Sequence, residues 1–239
     1  HKHLPVPMEF IQTGGLVTIE TPEEYRAMKT YVQDQQAIGL DVALLDRKQA
    51  LEKDPGLSRR IIGAACSPLD AQVNPIRLTL GFAQAAKKHH AHILTHTPVT
   101  EILVKNNRVT GVATSRGPIF ADLVVNAAGA AAGKISCMAG IQMPIMPRRG
   151  QIVVTSAGPP VLHHCLISAG YIAAKYNPDL ARTTGQGISM EQTKNGNLLL
   201  GSTREFVGFD TGNTLSGIRK IITDAAARLP ALASFQVIR

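Results

Sequence analysis

The sequence predicts a mixed fold class in which α/β and α+β organisation occur in one chain. Up to His90, amphipathic helical stretches alternate with short apolar stretches, a pattern that is typical of α/β proteins. From Ala91 the chain becomes a series of extended segments separated by polar turns. After Gly150 the extended segments are arranged as hairpins, which indicates antiparallel pairing.

The strongest element in the first part of the chain is a helix predicted over residues 22–38. Thr21 is a suitable N-cap, Pro22 fits the first helical position, and Glu24 completes a capping box with Thr21. Before the helix, FIQTGGLVTI reads as a strand whose Gly14-Gly15 pair indicates a bulge or a close backbone approach. After the helix the sequence predicts a strand at 42–45, a helix at 47–53, a strand at 61–66 and a helix that begins at Asn74-Pro75.

The middle of the chain is predicted to be extended, with polar turns at 105–108 and 116–118 and a strand at 121–126. That strand runs into a cluster of Ala and Gly in the stretch DLVVNAAGAAAGK, residues 122–134. Such small residues leave backbone N–H groups open to an approaching ligand, or they allow a helix to pack tightly on a sheet. The spacing alone leaves both interpretations open.

The last part of the chain is predicted to be antiparallel. GYIAAKY, residues 170–176, reads as a strand on which Tyr171 and Lys175 point to the same side, towards a ligand cavity or towards solvent. SMEQTKNGNLLLGST, residues 189–203, reads as a hairpin because Asn195-Gly196 matches the preference of a type I′ turn. Two further elements are predicted after the hairpin, a helix over residues 214–229 and a short strand at 235–238.

The composition excludes several classes of protein. The 239 residues include 25 Lys and Arg and 17 Asp and Glu, a formal net charge of +8, but the basic residues are spread along the chain and only 4% of residues are aromatic. Nucleic acid is therefore not a predicted partner. No apolar run approaches the roughly 18 residues that a membrane span needs. The three widely spaced Cys residues indicate free thiols in a cytoplasmic protein.

Metal sites and hydrolase sites are not predicted. His90, His92 and His96 share one face of a strand, but no nearby Cys or carboxylate completes a ligand set, so solvated histidines are the simpler interpretation. No Ser lies in a G-x-S-x-G elbow. GQGISM, residues 185–190, lacks the third Gly and the strand-to-helix context of a dinucleotide fingerprint, so it is predicted to be a loop.

Four stretches in a fixed order carry a resemblance to a known family: VNPIRLTLGFAQAAKKHHAHILTHTPVTEI, RVTGVATSRGPIFADLVVNAAGAAAGKI, PIMPRRGQIVVT and NLLLGSTREF. The chain resembles the D-amino-acid oxidase-like FAD-dependent oxidoreductases, the group that contains glycine oxidase, the sarcosine oxidases and the D-amino-acid dehydrogenases. It differs from many of them at Ala131, where they have Trp. It also includes neither the strand-GxGxxG-helix unit that begins the family pattern nor the segment that ends it, so it is expected to be a fragment of a longer protein.

The resemblance implies a partial Rossmann-like FAD-binding domain interleaved with a substrate domain built on an antiparallel sheet. Residues 1–66 and 143–239 are expected in the substrate domain, and residues 67–142 are expected in the FAD-binding domain. Sequence alone does not derive these boundaries; they follow from the order of the family's elements.

The resemblance also implies which residues contact the cofactor and the substrate. The expected FAD contacts are Val99 at the adenine, the turn of Ala127, Ala128 and Gly129 at the ribose and pyrophosphate, and Gly150 with Gln151 beside the flavin. Tyr171 is expected to be the catalytic tyrosine and to contact the substrate, as are Ser202 and Thr203. For each of these residues, ordinary strand packing is the alternative.

The activity implied for the full-length protein is the oxidation of an amine or amino acid of the glycine, sarcosine or D-amino-acid type. Hydride would leave the carbon beside the nitrogen for flavin N5. The implied partners are a small amine substrate and an electron acceptor or subunit partner. The 239-residue chain alone is expected to be inactive and to bind FAD weakly or not at all. The alternative is a cofactor-free relative that acts as a subunit or binding module.

Overall fold

The computed structural model describes residues 4–172 and 187–239. Its contacts group the chain into two compact units. The first unit combines the residues up to Gln84 with Gly150–Arg204 and Gly212–Arg239, and the second unit contains Ala85–Arg149 and Glu205–Thr211. The first unit is therefore formed by separate segments of the sequence, and the second unit is formed by the segments that lie between them in the sequence. Which unit serves the cofactor and which serves the substrate remains a prediction.

The helices and strands of the described residues have the following bounds. The strands are β1 (Gly15–Ile19), β2 (Ala43–Asp46), β3 (Gly63–Ser67), β4 (Val99–Lys105), β5 (Arg108–Thr114), β6 (Gly117–Phe120), β7 (Ile152–Ala157), β8 (Cys165–Ser168), β9 (Ser189–Gln192) and β10 (Asn197–Gly201). The α-helices are α1 (Pro22–Ala37), α2 (Arg47–Lys53), α3 (Pro75–Lys88), α4 (Ala132–Cys137) and α5 (Leu215–Arg228), and short 3-10 helices cover Gly129–Ala131 and Pro230–Ser234.

The first unit is built on a seven-stranded sheet with the strand order β2-β3-β1-β8-β9-β10-β7. Neighbouring strands are antiparallel except for β1 and β8, which run parallel with Gly15 opposite Cys165 and Thr18 opposite Ser168. This parallel pair joins the early strands β1, β2 and β3 to the strands that follow the segment Ala85–Arg149 in the sequence. The predicted mixed fold class is confirmed.

The two faces of this sheet bury different side chains. On one face, Leu166, Leu198 and Leu200 are at most 1% exposed and belong to a core that includes Ile221 and Ala225 of α5. On the other face, α1 contributes Met28 and Val32 to a second core that is centred on β1 and β3. Towards β8, β9, β10 and β7, that second face carries half-buried and exposed side chains.

The second unit contains the three-stranded antiparallel sheet β4-β5-β6. The predicted turn between β4 and β5 is confirmed, and both Asn106 and Asn107 have positive φ, at 51° and 60°. Positive φ at both central residues is the geometry of a type I′ turn, which matches the right-handed twist of the strands. The predicted β9–β10 hairpin is also confirmed, but its predicted type I′ turn is wrong, because Gly196 has positive φ and Asn195 does not.

The predicted α1 is confirmed with its capping box. The Thr21 side chain accepts a hydrogen bond from the Glu24 backbone N–H at 3.1 Å, and the Glu24 carboxylate accepts one from the Thr21 backbone N–H at 3.3 Å. The carboxylate also accepts a hydrogen bond from the Glu20 N–H at 2.8 Å. Local signals of this kind are satisfied within one helical turn and do not depend on the rest of the fold.

Two predicted strands are wrong, and a third, at 235–238, is reduced to an isolated bridge between Val237 and Thr155. Residues 121–126 belong to no strand of the described chain: the Ala121 N–H still donates to the Thr110 carbonyl of β5 at 3.1 Å, but Leu123 and Val125 beyond it are each 78% exposed. An apolar run becomes a strand only where a neighbour takes up its backbone hydrogen bonds. Residues 170–172 are helical rather than extended, and residues 173–176, including Lys175, lie outside the described residues. In the part of the chain that the structure describes, no helix is both long enough and apolar enough to cross a membrane.

Candidate functional site

The half-buried face of the seven-stranded sheet contains a cavity of about 440 Å³. Side-chain alternation along the strands explains which residues line it. Leu166, Met190 and Leu200 point into the core and are at most 3% exposed. Their neighbours Cys165 and Glu191 therefore point to the opposite face, where the cavity lies. The volume is within the range of small-molecule sites, roughly 300–1,000 Å³.

The polar lining of the cavity is acidic and neutral. Its described polar side chains are those of Asp70, Cys165, Ser189, Glu191 and Ser202, and no Lys, Arg or His belongs to this described lining. Asp70 accepts a hydrogen bond from the Ser67 hydroxyl at 3.0 Å. The Ser189 hydroxyl donates to the Gly201 carbonyl at 3.1 Å. The cavity therefore presents carboxylate oxygens without a cationic side chain beside them.

Cys165 and Glu191 face each other across β8 and β9. The thiol donates a long hydrogen bond to the Glu191 carboxylate, with 4.0 Å between Sγ and Oε2, and Thr13 Oγ1 lies 3.8 Å from the same sulfur. Burial raises the pKa of the Cys165 thiol, and the nearby Glu191 and Asp70 charges raise it further. The thiol therefore stays protonated at neutral pH, so it is a polar wall of the cavity rather than a nucleophile. Burial also raises the pKa of the Glu191 carboxyl group.

Four of the expected site residues lie together where β7 begins and β10 ends: Gly150, Gln151, Ser202 and Thr203. The Gln151 N–H donates to the Thr203 hydroxyl at 2.9 Å, and Gly150 packs so closely that an added Cβ would lie 3.2 Å from the Thr203 carbonyl oxygen. Ser202 lines the cavity, whereas Gln151 and Thr203 are only 3% and 6% exposed. Among these four, Ser202 is the residue with direct access to the cavity. The assigned roles remain predictions.

Tyr171 lies elsewhere in the first unit. The Arg204 guanidinium stacks over its ring at 3.9 Å, and Gly187 approaches so closely that an added Cβ would lie 2.6 Å from the Tyr171 Cβ. The ring packs at the edge of the core that contains Met28 of α1. Tyr171 is not among the described residues that line the cavity, and its catalytic role remains a prediction.

The turn at Ala127-Ala128-Gly129 belongs to the second unit. All three residues are exposed, and Gly129 has φ 54° with no atom within 4 Å of a Cβ built on it. Asn126 holds the turn: its amide donates at 2.9 Å to both the Ala132 carbonyl and the Ser136 hydroxyl, and its Oδ1 accepts from the Ala128 N–H at 3.3 Å. The turn thus has a fixed backbone and an open outer surface. Val99, at the start of β4, lies in the same unit and is half-buried.

Sequence patterns alone did not indicate a role for Asn126, Glu191, Cys165 or Asp70. The alternation in SMEQ could have indicated that Met190 and Glu191 point to opposite faces. It could not show that Cys165 lies across from Glu191, because that contact depends on the pairing of β8 with β9. Among the described residues, no three His, Cys, Asp or Glu side chains come together as metal ligands.

Comparison with known proteins gives the class to which this fold and this cavity belong. A family model described as DAO, FAD dependent oxidoreductase, matches residues 2–239. The chain belongs to the DAO family of FAD-dependent oxidoreductases, as the resemblance predicted.

Individual relatives agree with this assignment. The chain is 32% identical over 226 residues to the hydrogen cyanide synthase subunit HcnC of Pseudomonas aeruginosa, covering 94% of this chain and 50% of that protein. It is 31% identical over 191 residues to the glycine oxidase of the same organism, covering 79% of this chain and 48% of the enzyme. The chain thus spans about half the length of these curated relatives.

Solved structures show the same fold. The L-proline dehydrogenase from P. horikoshii superposes with a TM-score of 0.87 at 29% identity, covering 97% of this chain and 60% of that one. The glycine oxidase from Geobacillus kaustophilus superposes with a TM-score of 0.84 at 23% identity, covering 98% of this chain and 59% of that one.

Proposed function

We propose that this protein is an FAD-dependent oxidoreductase that oxidises an amine or amino acid of the glycine, sarcosine or D-amino-acid type. The observation that carries the proposal is the cavity on the half-buried sheet face of a chain that belongs to the DAO family. Glycine oxidase and L-proline dehydrogenase are relatives named for activity on amino acids, which supports a small amino-acid or amine substrate. The volume of about 440 Å³ is sufficient for such a molecule.

The turn of Ala127, Ala128 and Gly129 fits FAD binding. Small side chains and the open space at Gly129 allow a ligand to reach the backbone, and the Asn126 side chain fixes that backbone beforehand. We propose that these three residues contact the ribose and pyrophosphate, with Val99 at the adenine and Gly150 with Gln151 beside the flavin. When bound, the flavin would accept the hydride that leaves the substrate carbon beside the nitrogen.

The residues of this chain would orient the substrate and limit its contact with water. The apolar part of the cavity wall, with Ile152, Ile167 and Leu199, would exclude water from the carbon that reacts. The Ser202 hydroxyl would hydrogen-bond a polar group of the substrate, above the buried Thr203 and Gln151 that hold its strand. Tyr171 is proposed as a further substrate contact.

Flavin titration tests the proposal. FAD is titrated into the 239-residue chain and into the full-length gene product that contains it, and the quenching of flavin fluorescence is followed. The full-length protein is then mixed anaerobically with glycine, sarcosine and D-alanine, and loss of flavin absorbance is measured. We expect stoichiometric FAD and amine-dependent reduction in the full-length protein. Absence of flavin from both forms would overturn the proposal and favour a cofactor-free subunit or binding module.

A further inference from the structure

We propose that Glu191 gives the cavity its specificity, by binding the positively charged ammonium group of the substrate. This inference rests on the proposed amine oxidation, because only then is the bound cation a substrate. It specifies that the substrate is recognised in its protonated, ammonium form. It follows from the placement, the partners and the surroundings of one carboxylate.

The placement of Glu191 is set by the sheet. Met190 before it points into the core and is 3% exposed, so the Glu191 side chain leaves β9 on the cavity side. Leu199 on β10 is its direct cross-strand neighbour. The carboxylate is thus held on a β-strand with paired strands on both sides, which fixes its position more rigidly than a loop would.

The Glu191 carboxylate has little to neutralise it. In the part of the chain that the structure describes, its side-chain partner is the Cys165 thiol at 4.0 Å, which is a weak donor at a long distance. The group is half-buried, and burial alone raises its pKa. A charged group that loses water without gaining a partner is unfavourable, and a ligand cation would restore the lost stabilisation.

The rest of the cavity has the matching charge. Asp70 is a second carboxylate in the lining, and the described lining contains no Lys, Arg or His. This local excess of negative charge occurs in a chain whose formal net charge is +8. A cavity lined in this way attracts a cation and repels a carboxylate. The ammonium end of the substrate therefore suits this cavity, whereas a substrate carboxylate would have to be held elsewhere.

A binding experiment without flavin tests the inference. Isopropylammonium chloride and the uncharged isobutanol are titrated at pH 8 into the 239-residue chain while the backbone amide NMR signals of Ser189, Glu191 and Leu199 are followed. We expect saturable shifts with isopropylammonium and none with isobutanol. In Glu191→Gln the affinity for isopropylammonium should fall by roughly tenfold or more, because a charge-assisted hydrogen bond is lost.

Two further variants make the result specific. Leu199→Lys places an ammonium group on the strand directly opposite Glu191. This ammonium group should form an ion pair with the Glu191 carboxylate and so abolish isopropylammonium binding. Asp70→Asn removes the other carboxylate of the cavity and should weaken binding less than Glu191→Gln does. Thermal unfolding followed by circular dichroism verifies that each variant is folded.

The outcomes separate this inference from the proposed function. Equal binding of isopropylammonium by the parent chain and Glu191→Gln, or an equal loss in Asp70→Asn, would overturn the role of Glu191. Lowering the pH should weaken binding as Glu191 becomes protonated; Asp70 and Cys165 are the other titratable side chains of the described lining. Because this assay contains no flavin, a full-length protein that fails to reduce flavin counts against the proposed function alone.

Discussion

The Gln151 side chain and Thr214 form a reciprocal pair of hydrogen bonds that joins β7 to α5. The Gln151 Oε1 accepts from the Thr214 backbone N–H at 2.7 Å, and its Nε2 donates to the Thr214 hydroxyl at 3.0 Å. The same hydroxyl accepts from the Gly217 N–H at 3.2 Å and thereby caps α5. Gln151 therefore serves as a buried support of the sheet, whether or not its backbone also borders the flavin.

Replacing Gln151 by Ala should lower the free energy of unfolding by about 1–3 kcal/mol, because it leaves the Thr214 N–H without its buried acceptor. Urea unfolding measures the change. Gln33→Ala, on the exposed side of α1, should stay within about 0.5 kcal/mol of the parent. In a double-mutant cycle with Thr214→Ala the two losses should not add, because both remove parts of one network. Strict additivity would contradict the coupling.

Replacing Glu191 by Gln should stabilise the chain at neutral pH. The folded-state pKa of Glu191 is raised by burial, so the folded chain favours the protonated carboxyl group, and ionisation costs stability as the pH rises through that pKa. The amide of the variant would remain neutral throughout. The melting temperature of the variant should exceed that of the parent at pH 7, and the difference should shrink as the pH falls below the unfolded-state value. A difference that grew on acidification would contradict the burial of this group.

Replacing Tyr171 by Phe tests whether its hydroxyl takes part in catalysis. The ring of the variant would still pack against the core and carry the stacked Arg204 guanidinium, so the fold should be kept, which circular dichroism verifies. If the proposed role holds, kcat/KM of the full-length protein for its amine should fall by roughly tenfold or more, in line with the loss of one positioned polar group. Unchanged kcat/KM would assign Tyr171 to packing alone. Arg204→Lys serves as a comparison that keeps the charge over the ring.

Replacing Ala128 by Leu should reduce FAD affinity without unfolding the second unit. The residue is exposed, so the larger side chain meets no core atoms, but it would stand on the surface that we propose the pyrophosphate approaches. Flavin fluorescence of the full-length variant should report a Kd raised by about tenfold or more, equivalent to about 1.4 kcal/mol. Ala121→Leu, an exposed alanine outside the turn, is the matched control and should leave the Kd unchanged.

The sequence predicted best what a few neighbouring residues determine. The capping box of Thr21 and Glu24 and the polar turn at Asn106-Asn107 are local, and both are present in the structure. The Gly14-Gly15 pair was also informative: an added Cβ at Gly15 would collide with the Asp70 carboxylate, so the predicted close approach involves a side chain that lines the cavity.

What the sequence could not predict depends on pairing between distant segments. Hydrophobicity at residues 121–126 indicated a strand, but strand formation requires a neighbour that propensity does not reveal. The cavity was missed for the same reason. Cys165 lies on β8, Glu191 lies on β9 and Ser202 directly follows β10, and the spacing of these residues in the sequence does not reveal the order of the strands in the sheet. Family resemblance named Ser202 but gave no reason to consider Glu191.

The parallel pairing of β1 with β8 also determines the order in which this chain can fold during synthesis. The strands β1, β2 and β3 are made well before β8, so one edge of β1 stays unpaired until Cys165–Ser168 have been made, after the whole segment from Ala85 to Arg149. Closing such a distant contact is slow, and an open strand edge is prone to pairing with other chains in the meantime. The open edge of β1 is therefore a point at which the growing chain is prone to aggregation until β8 has been made.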